Sequence, residues 1–159
     1  MSINGRKYLP EISVKYRRLA IERKPVRDTE EIIEFLMAFF DKDDFQIQEK
    51  IVVLFLDESD VPIGGKVLFS GTRSLVNLDW RIIYQLALVC GAQQVVVAHN
   101  HPGGEINPSE EDIESAIKGE AIGRFLGIKY RDDIILCQNP VDGEIKYFSF
   151  ADSSLLLAD

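Results

Sequence analysis

Cysteine, histidine and long apolar runs are all scarce in this chain of 159 residues. The two cysteines, Cys90 and Cys137, are 47 positions apart and form no C-x-x-C pair, which excludes a cysteine-rich zinc finger and a disulfide scaffold. The longest apolar runs, such as residues 51–56, fall far short of the ~18 residues that span a bilayer. The first residues contain no apolar signal core, so we expect a cytoplasmic protein with no membrane partner.

The charge of the chain is unevenly distributed around a net value of −8. Residues 1–27 carry eight basic and two acidic residues, whereas the other 132 residues carry ten basic and 24 acidic ones. An acidic domain repels the phosphate backbone, so we do not expect it to bind DNA. We interpret residues 1–27 as a basic segment and linker with solvated charges, and residues 28–159 as the folded domain.

Hydrophobic periodicity predicts an α/β domain of three layers. Alternating apolar residues predict a strand over 12–21, and Asp28 with Glu31 predicts the capping box of a first helix. The apolar run 50–56 predicts a strand buried on both faces. Further strands are expected at 61–70, 94–98, 133–138 and 144–150, and helices between Asp79 and Gly91 and between Ser109 and Gly127. This order predicts a mixed sheet between helices.

The second predicted helix is expected to turn one apolar side toward the sheet. The residues predicted to point inward are Ile82, Ile83, Leu86, Ala87 and Cys90. Trp80 and Tyr84 in the same helix are interpreted as core or interface residues and not as a stacking platform.

The two histidines of the chain fall in one tripeptide, His99-Asn100-His101, at the end of an apolar strand. Residues i and i+2 of a strand point to the same side, so both imidazoles can face one metal ion, while Asn100 faces away and fixes the loop. Asp112 follows eleven residues after His101, and the glycines and prolines between them let the chain fold back. Three protein ligands leave one tetrahedral position for water, as in catalytic zinc sites.

Ser109 and Asp112 also fit an explanation that needs no metal. Ser109 is a good N-cap, and Asp112 three residues later is placed to complete a capping box. For these two residues alone, capping is the simpler explanation. The joint occurrence of both histidines, a Gly/Pro loop and an acidic helix start favours the metal site, and the residues alone leave both interpretations open.

The spacing His99-x-His101, seven residues, Ser109, two residues, Asp112 matches the motif H-x-H-x7-S-x2-D of the JAMM (JAB/MPN) metalloproteases. The surrounding residues A-H-N-H-P-x-G and P-S-x-x-D-I resemble the bacterial RadC-like branch of that family. The resemblance extends over about residues 28–152, and it includes the segments 55–57, 70–72 and 147–152.

The resemblance implies a cytidine-deaminase-like α/β fold with a mixed curved sheet, and one Zn2+ per chain held by His99, His101 and Asp112. It implies hydrolysis of a peptide or isopeptide bond, with Glu49 as the residue that accepts the proton of the attacking water. Ser109 would stabilise the oxyanion. The implied partner is a protein or peptide substrate, a class that includes ubiquitin-like and isopeptide-linked proteins. The ligand types prefer zinc but also suit iron or manganese, and the oligomeric state stays open.

Two positions differ from the pattern of the RadC-like branch. Asp132-Asp133 stands where the branch usually has Asp-His, and Gly103 stands where it often has serine. Both differences leave the metal ligands intact and bear on substrate choice and rate. Full-length proteins of the branch often carry an N-terminal helix-hairpin-helix domain, for which 27 residues before the first predicted helix are too few.

Other functions are compatible with parts of the sequence. The main alternative is a non-catalytic MPN-type binding module or a DNA-repair-associated accessory protein, which would share the fold. The complete set Glu49, His99, His101, Ser109 and Asp112 favours the hydrolase. An HNH nuclease spreads its residues over a larger ββα unit, and a deaminase needs H-x-E and P-C-x-x-C motifs that this chain lacks.

Overall fold

The computed structural model describes residues 13–41, 43–71 and 78–156, the last three residues of the second range by their backbone only. Residues 1–12 and Thr72, on which some of the predictions above fall, lie outside them. In chain order the elements are α1 (Thr29–Leu36), a 3-10 turn (Met37–Phe39), β1 (Glu49–Leu56), β2 (Pro62–Gly71), α2 (Trp80–Cys90), β3 (Gln94–Asn100), α3 (Glu110–Leu126), β4 (Lys129–Gln138) and β5 (Ile145–Ser149). Within the described ranges, no helix is both long and apolar enough to cross a bilayer.

The five described strands form one mixed sheet in the order β2-β1-β3-β4-β5. The pair β3 and β4 is parallel and the other neighbours are antiparallel. Helix α1 packs on one face of the sheet, and α2 and α3 pack on the other. The predicted α/β fold of three layers, as in JAB/MPN domains, is therefore confirmed.

Alternate residues of the central strands enter two different cores. In β1, Val53 and Phe55 pack toward α2 and α3, whereas Val52 and Leu54 pack toward α1. All seven residues of β3 are buried. A strand covered by helices on both faces needs an apolar residue at nearly every position, which explains the continuous apolar runs in the sequence.

The helix ends lie where the capping residues place them. The Asp28 side chain accepts a hydrogen bond from the backbone N–H of Glu31 (2.9 Å), while the Glu31 carboxylate accepts one from Arg27 N–H (2.7 Å). In a regular capping box the Glu31 carboxylate would accept from the N–H of Asp28, so this second bond is shifted by one residue, to Arg27. Gly91 and Gly127 end α2 and α3 in the left-handed region, with φ of 71° and 70°. That conformation favours glycine, so both predicted helix ends are confirmed.

The predicted strand over residues 12–21 is wrong in its described part; Ile12 lies outside the described residues. Residues such as Val14, which is 52% exposed, alternate with polar ones without any core to enter. An alternating pattern gives a strand only where a neighbouring strand accepts its backbone hydrogen bonds. The chain joins the domain later, where Arg23 Nε donates to a β2 carbonyl (2.6 Å) and Val26 enters the α1 core.

The inward side of α2 is rotated relative to the prediction. Ile83 and Ala87 are buried as predicted, but Ile82 is 46% exposed, and Trp80 and Tyr84 take the remaining core positions. The prediction that these two aromatic residues belong to the core is confirmed. Their large rings pack against the backbone of α3, which glycines leave uncovered there.

Helix α3 lies close to α2 because Gly119 and Gly123 expose its backbone. The Tyr84 hydroxyl donates to Gly119 O (2.6 Å), and a methyl group on Gly119 would lie 2.3 Å from Trp80 Cη2. This close approach fixes the position of α3 on the sheet, and with it the position of Asp112 in its first turn.

We predict that Gly119→Ala lowers the free energy of unfolding by about 1–2 kcal/mol, because the methyl group clashes with Trp80 and overpacking outweighs the better helix propensity of alanine. Chemical denaturation measures the change. Gly64→Ala is the control, since nothing lies within 4 Å of a methyl group there. A Gly119→Ala protein as stable as the wild type would show that the α2–α3 contact does not need glycine.

Candidate metal centre

Three potential metal ligands meet where β3 ends and α3 begins. His99 is the penultimate residue of β3, and His101 follows the strand with its N–H still donating to Leu136 O in β4 (2.9 Å). Asp112 comes from the first turn of α3. One ligand atom from each of His99, His101 and Asp112 lies within 4.8 Å of the other two.

The distances between these atoms, 2.9–3.7 Å, bracket those around a single cation. His99 Nε2 lies 2.9 Å from His101 Nε2 and 3.4 Å from Asp112 Oδ1, and His101 Nε2 lies 3.7 Å from Asp112 Oδ2. Donor atoms at about 2.0–2.2 Å from a shared tetrahedral centre are roughly 3.3–3.6 Å apart. Two imidazoles and a carboxylate are also the ligand types that zinc takes, so the residues present fit a divalent metal ion.

The loop after His101 determines which nitrogen of that ring faces the site. Gly104 has a φ of 78° and donates its N–H to His101 O (3.1 Å), which closes a turn. The turn brings Glu105 O to 2.7 Å from His101 Nδ1. A carbonyl oxygen only accepts, so Nδ1 carries the proton and Nε2 offers its lone pair to the metal site.

Asp112 caps the helix with Oδ2 and faces the two histidines with both of its oxygens. Its Oδ2 accepts hydrogen bonds from Ser109 N and Ser109 Oγ (both 2.8 Å), while Ser109 Oγ accepts from Asp112 N (3.1 Å). The predicted capping box is therefore confirmed, and Oδ1 stays directed at His99. Burial would raise the pKa of Asp112, but hydrogen bonds with His99 and Ser109 lower it to about 2, so the carboxylate is ionised at neutral pH.

His99 is fully buried, and burial lowers its pKa, so its ring is neutral at neutral pH as a metal ligand requires. Its Nδ1 faces Asp133 Oδ1 at 3.8 Å. Burial, with the negative charges of Asp132 and Asp112, raises the pKa of Asp133 to about 8 against the opposing hydrogen bond from Tyr130. In the sequence, Asp133 stands out only as a difference from the RadC-like pattern. Its contact with His99 depends on the pairing of β3 with β4, which the spacing of residues along the chain does not predict.

Glu49 lies at the edge of this cluster as the first residue of β1. The antiparallel register pairs Ile51 with His99, which places Glu49 opposite His101 on the same face of the sheet. Burial raises the pKa of Glu49, His101 opposes this shift, and the negative charge of Asp112 adds to it. Glu49 is therefore close enough to interact electrostatically with two of the candidate ligands.

Asn100 points to the opposite face, as predicted from its position between the histidines. Its Nδ2 donates to Phe45 O (2.6 Å) and Gln48 O (2.9 Å), and its Oδ1 accepts from Lys50 N (2.7 Å). These bonds fix the segment that leads into β1. The tripeptide thus supplies two candidate ligands and holds the backbone next to Glu49.

A family model described as RadC-like JAB domain matches residues 26–155 of the chain. The chain belongs to this family. The membership confirms the resemblance drawn from the histidine, serine and aspartate spacing. It also agrees with the mixed sheet and flanking helices, and it extends the similarity well beyond the motif itself.

Three curated relatives of this RadC-like JAB domain are each named UPF0758 protein. The one from Staphylococcus haemolyticus is 33% identical over 105 residues, covering 66% of this chain and 43% of the relative. The Flavobacterium johnsoniae protein is 31% identical over 145 residues, covering 86% of this chain and 61% of the relative. The Porphyromonas gingivalis protein is 34% identical over 143 residues, covering 88% of this chain and 60% of the relative. The chain thus spans about half the length of these relatives, and their names state no activity.

We predict that Asn100→Ala lowers the free energy of unfolding by about 2–4 kcal/mol, because two carbonyls and one N–H in and near the segment before β1 lose a buried partner. Denaturant titration followed by circular dichroism measures the change. Asn107→Ala removes an exposed asparagine from the neighbouring loop and should alter stability by at most about 0.5 kcal/mol. Equal stability of both variants would contradict the structural role of Asn100.

Proposed function

We propose that this RadC-like JAB domain is a zinc-dependent hydrolase of peptide or isopeptide bonds that binds one Zn2+ per chain. The observation that carries the proposal is the convergence of His99 Nε2, His101 Nε2 and the Asp112 carboxylate beside a half-buried glutamate. Zinc in a site with three protein ligands lowers the pKa of a bound water to about 7 and polarises a carbonyl group. The protein residues around it then supply orientation and proton transfer.

Glu49 is proposed as the general base and acid. A raised pKa brings a carboxylate nearer to neutral pH, where it both accepts and returns a proton efficiently. We propose that Glu49 takes the proton of the attacking water and delivers it to the leaving amine. A positioned group of this kind contributes about 10²–10⁴-fold to the rate.

Ser109 is proposed to donate a hydrogen bond to the carbonyl oxygen as negative charge develops there. Its hydroxyl proton is not essential to the helix cap, because Asp112 Oδ2 also accepts from Ser109 N, and Ser109 Oγ still accepts from Asp112 N. The hydroxyl is thus free to rotate without opening the cap. Ser109 lies at an exposed position, where a substrate can reach it.

The proposed substrate is a protein or peptide, including ubiquitin-like and isopeptide-linked proteins. The ten basic and 24 acidic residues of 28–159 do not favour DNA as a ligand of the domain. A non-catalytic binding module would share the fold, and it differs from the hydrolase in the need for Glu49. The complete set of metal ligands, Ser109 and Glu49 favours the hydrolase, and a Glu49 variant tests it directly.

We predict that elemental analysis of the untagged protein finds about one zinc per chain. His101→Ala and Asp112→Asn should each lose most of it, because two ligands hold zinc far less tightly than three. Circular dichroism checks that the variants remain folded. Absence of zinc from the wild-type protein, even after zinc is added, would overturn the proposed function.

We predict that the zinc-loaded wild type cleaves members of a library of peptides and Nε-peptidyl-lysine isopeptides. In H2(18)O each new carboxylate should gain one 18O, detected by mass spectrometry. Glu49→Gln should keep its zinc and lose about 10²-fold or more of the rate. Glu58→Gln is the matched control, since this exposed residue follows the other end of the same strand.

Two outcomes would contradict parts of this proposal. Full activity of Glu49→Gln would exclude the glutamate as the proton acceptor. Stoichiometric zinc without cleavage of any library member would favour the non-catalytic binding module instead.

A further inference from the structure

Two buried polar atoms face each other behind the candidate metal site. His99 Nδ1 and Asp133 Oδ1 lack a hydrogen-bond partner among the described residues, and they lie 3.8 Å apart. Both residues are at most 1% exposed. A buried polar group without a partner is costly, so this arrangement calls for an explanation.

The separation is suited to a direct bond and not to a bridging water. A hydrogen bond between an imidazole N–H and a carboxylate is about 2.7–2.9 Å long, so the atoms need to approach by roughly 1 Å. A water between them would make two such bonds and needs the atoms about 4.5–5.5 Å apart. At 3.8 Å the gap is too narrow to hold a water molecule, so a direct bond is the arrangement that would satisfy both atoms.

The His99 ring lies between two carboxylates. Its Nε2 is 3.4 Å from Asp112 Oδ1, and its Nδ1 is 3.8 Å from Asp133 Oδ1. A neutral imidazole has one N–H and can donate to one of them only. When a cation takes the lone pair of Nε2 and one oxygen of Asp112, the proton resides on Nδ1, where Asp133 is the acceptor.

Asp133 is held in place for this contact by Tyr130. The β3–β4 register changes between Val95 and Val96, so that Arg131 is extra on β4. In a regular strand residues i and i+3 face opposite sides, but this bulge turns Tyr130 and Asp133 to the same side. The Tyr130 hydroxyl donates to Asp133 Oδ2 (2.8 Å), which leaves Oδ1 directed at His99.

We propose that Asp133 is a positioning residue whose carboxylate accepts the Nδ1–H of His99 and so holds His99 Nε2 toward the metal ion. The inference rests on the proposed metal centre. Histidines that bind metals generally donate their other N–H to a carboxylate or a carbonyl group. His101 has the carbonyl of Glu105 for this purpose, and the structure assigns Asp133 to His99.

The test uses the full chain with Zn2+ and four variants. Asp133→Leu removes the acceptor, Asp133→Asn keeps one acceptor oxygen in place of the carboxyl group, and Tyr130→Phe removes the hydroxyl that orients that group. Asp132→Asn is the matched control, because Asp132 is an equally buried neighbour whose oxygens bind Ser149 and Ala151. Competition with a chromophoric chelator gives the zinc dissociation constant, and thermal denaturation checks folding.

A second readout reports on the hydrogen bond itself. Because the chain has two histidines, 15N,13C-histidine labelling gives two imidazole spin systems, and through-bond correlation of each ring with its own backbone amide assigns them. In the zinc-loaded wild type, the Nδ1 proton of His99 should be protected from exchange and shifted to low field. Asp133→Asn should move it upfield, and Asp133→Leu should abolish its protection. A role limited to stability would leave this proton unchanged in Asp133→Asn.

The affinity for zinc should fall most in the variant that removes the acceptor of this hydrogen bond. Asp133→Leu is expected to weaken zinc binding by about 10–100-fold, Asp133→Asn and Tyr130→Phe by less, and Asp132→Asn by under about threefold. If Asp133→Leu does not fold, Asp133→Asn decides by its dissociation constant and its Nδ1 proton. Wild-type affinity and an unchanged proton in the Asp133 variants would overturn this inference alone. Failure of the wild type to bind zinc would overturn the proposed function together with it.

Discussion

The alternation of side chains along β3 is the constraint on which the candidate site depends. His99 points toward the α2–α3 side and Asn100 toward the other, so adjacent residues organise two layers of the domain. The histidine meets Asp112 from the helix that follows, while the asparagine fixes the segment that precedes β1. Both faces of β3 are covered, so neither side chain can form hydrogen bonds with solvent in place of these contacts.

Asp112 shows that a structural and a chemical role need not compete. A carboxylate has two oxygens: Oδ2 makes the capping bonds and also lies 3.7 Å from His101 Nε2, while Oδ1 takes no part in the cap and faces His99. The capping bonds hold the ligand in place through the backbone of α3, and the contact of Gly119 with Trp80 fixes that helix on the sheet. The ligand is therefore oriented by packing before any ion binds, which lowers the entropic cost of binding.

Much of this arrangement could be predicted from the sequence, because its signals are local. Caps such as Ser109 and end glycines such as Gly127 determine helix bounds through their own backbone, and the i, i+2 spacing of the histidines determines a shared face. The strand over 12–21 was wrong because alternation says nothing about a partner strand. The outward position of Ile82 could not be foreseen, since it depends on which side of α2 meets the bare backbone of α3.

The two aspartates of β4 show what one extra residue in a strand accomplishes. Asp132 accepts hydrogen bonds from Ser149 Oγ (2.6 Å) and Ala151 N (2.9 Å) and so fixes the end of β5. Asp133 points to the opposite face of the sheet from Asp132, the face on which His99 lies. Without the bulge at Arg131, Tyr130 would face away from Asp133 and could not orient it. A histidine in place of Asp133 would offer one N–H and one lone pair, whereas the carboxyl group of Asp133 offers two acceptor oxygens. In the proposed arrangement this side chain accepts the Nδ1–H of His99, which leaves Nε2 to bind a metal ion.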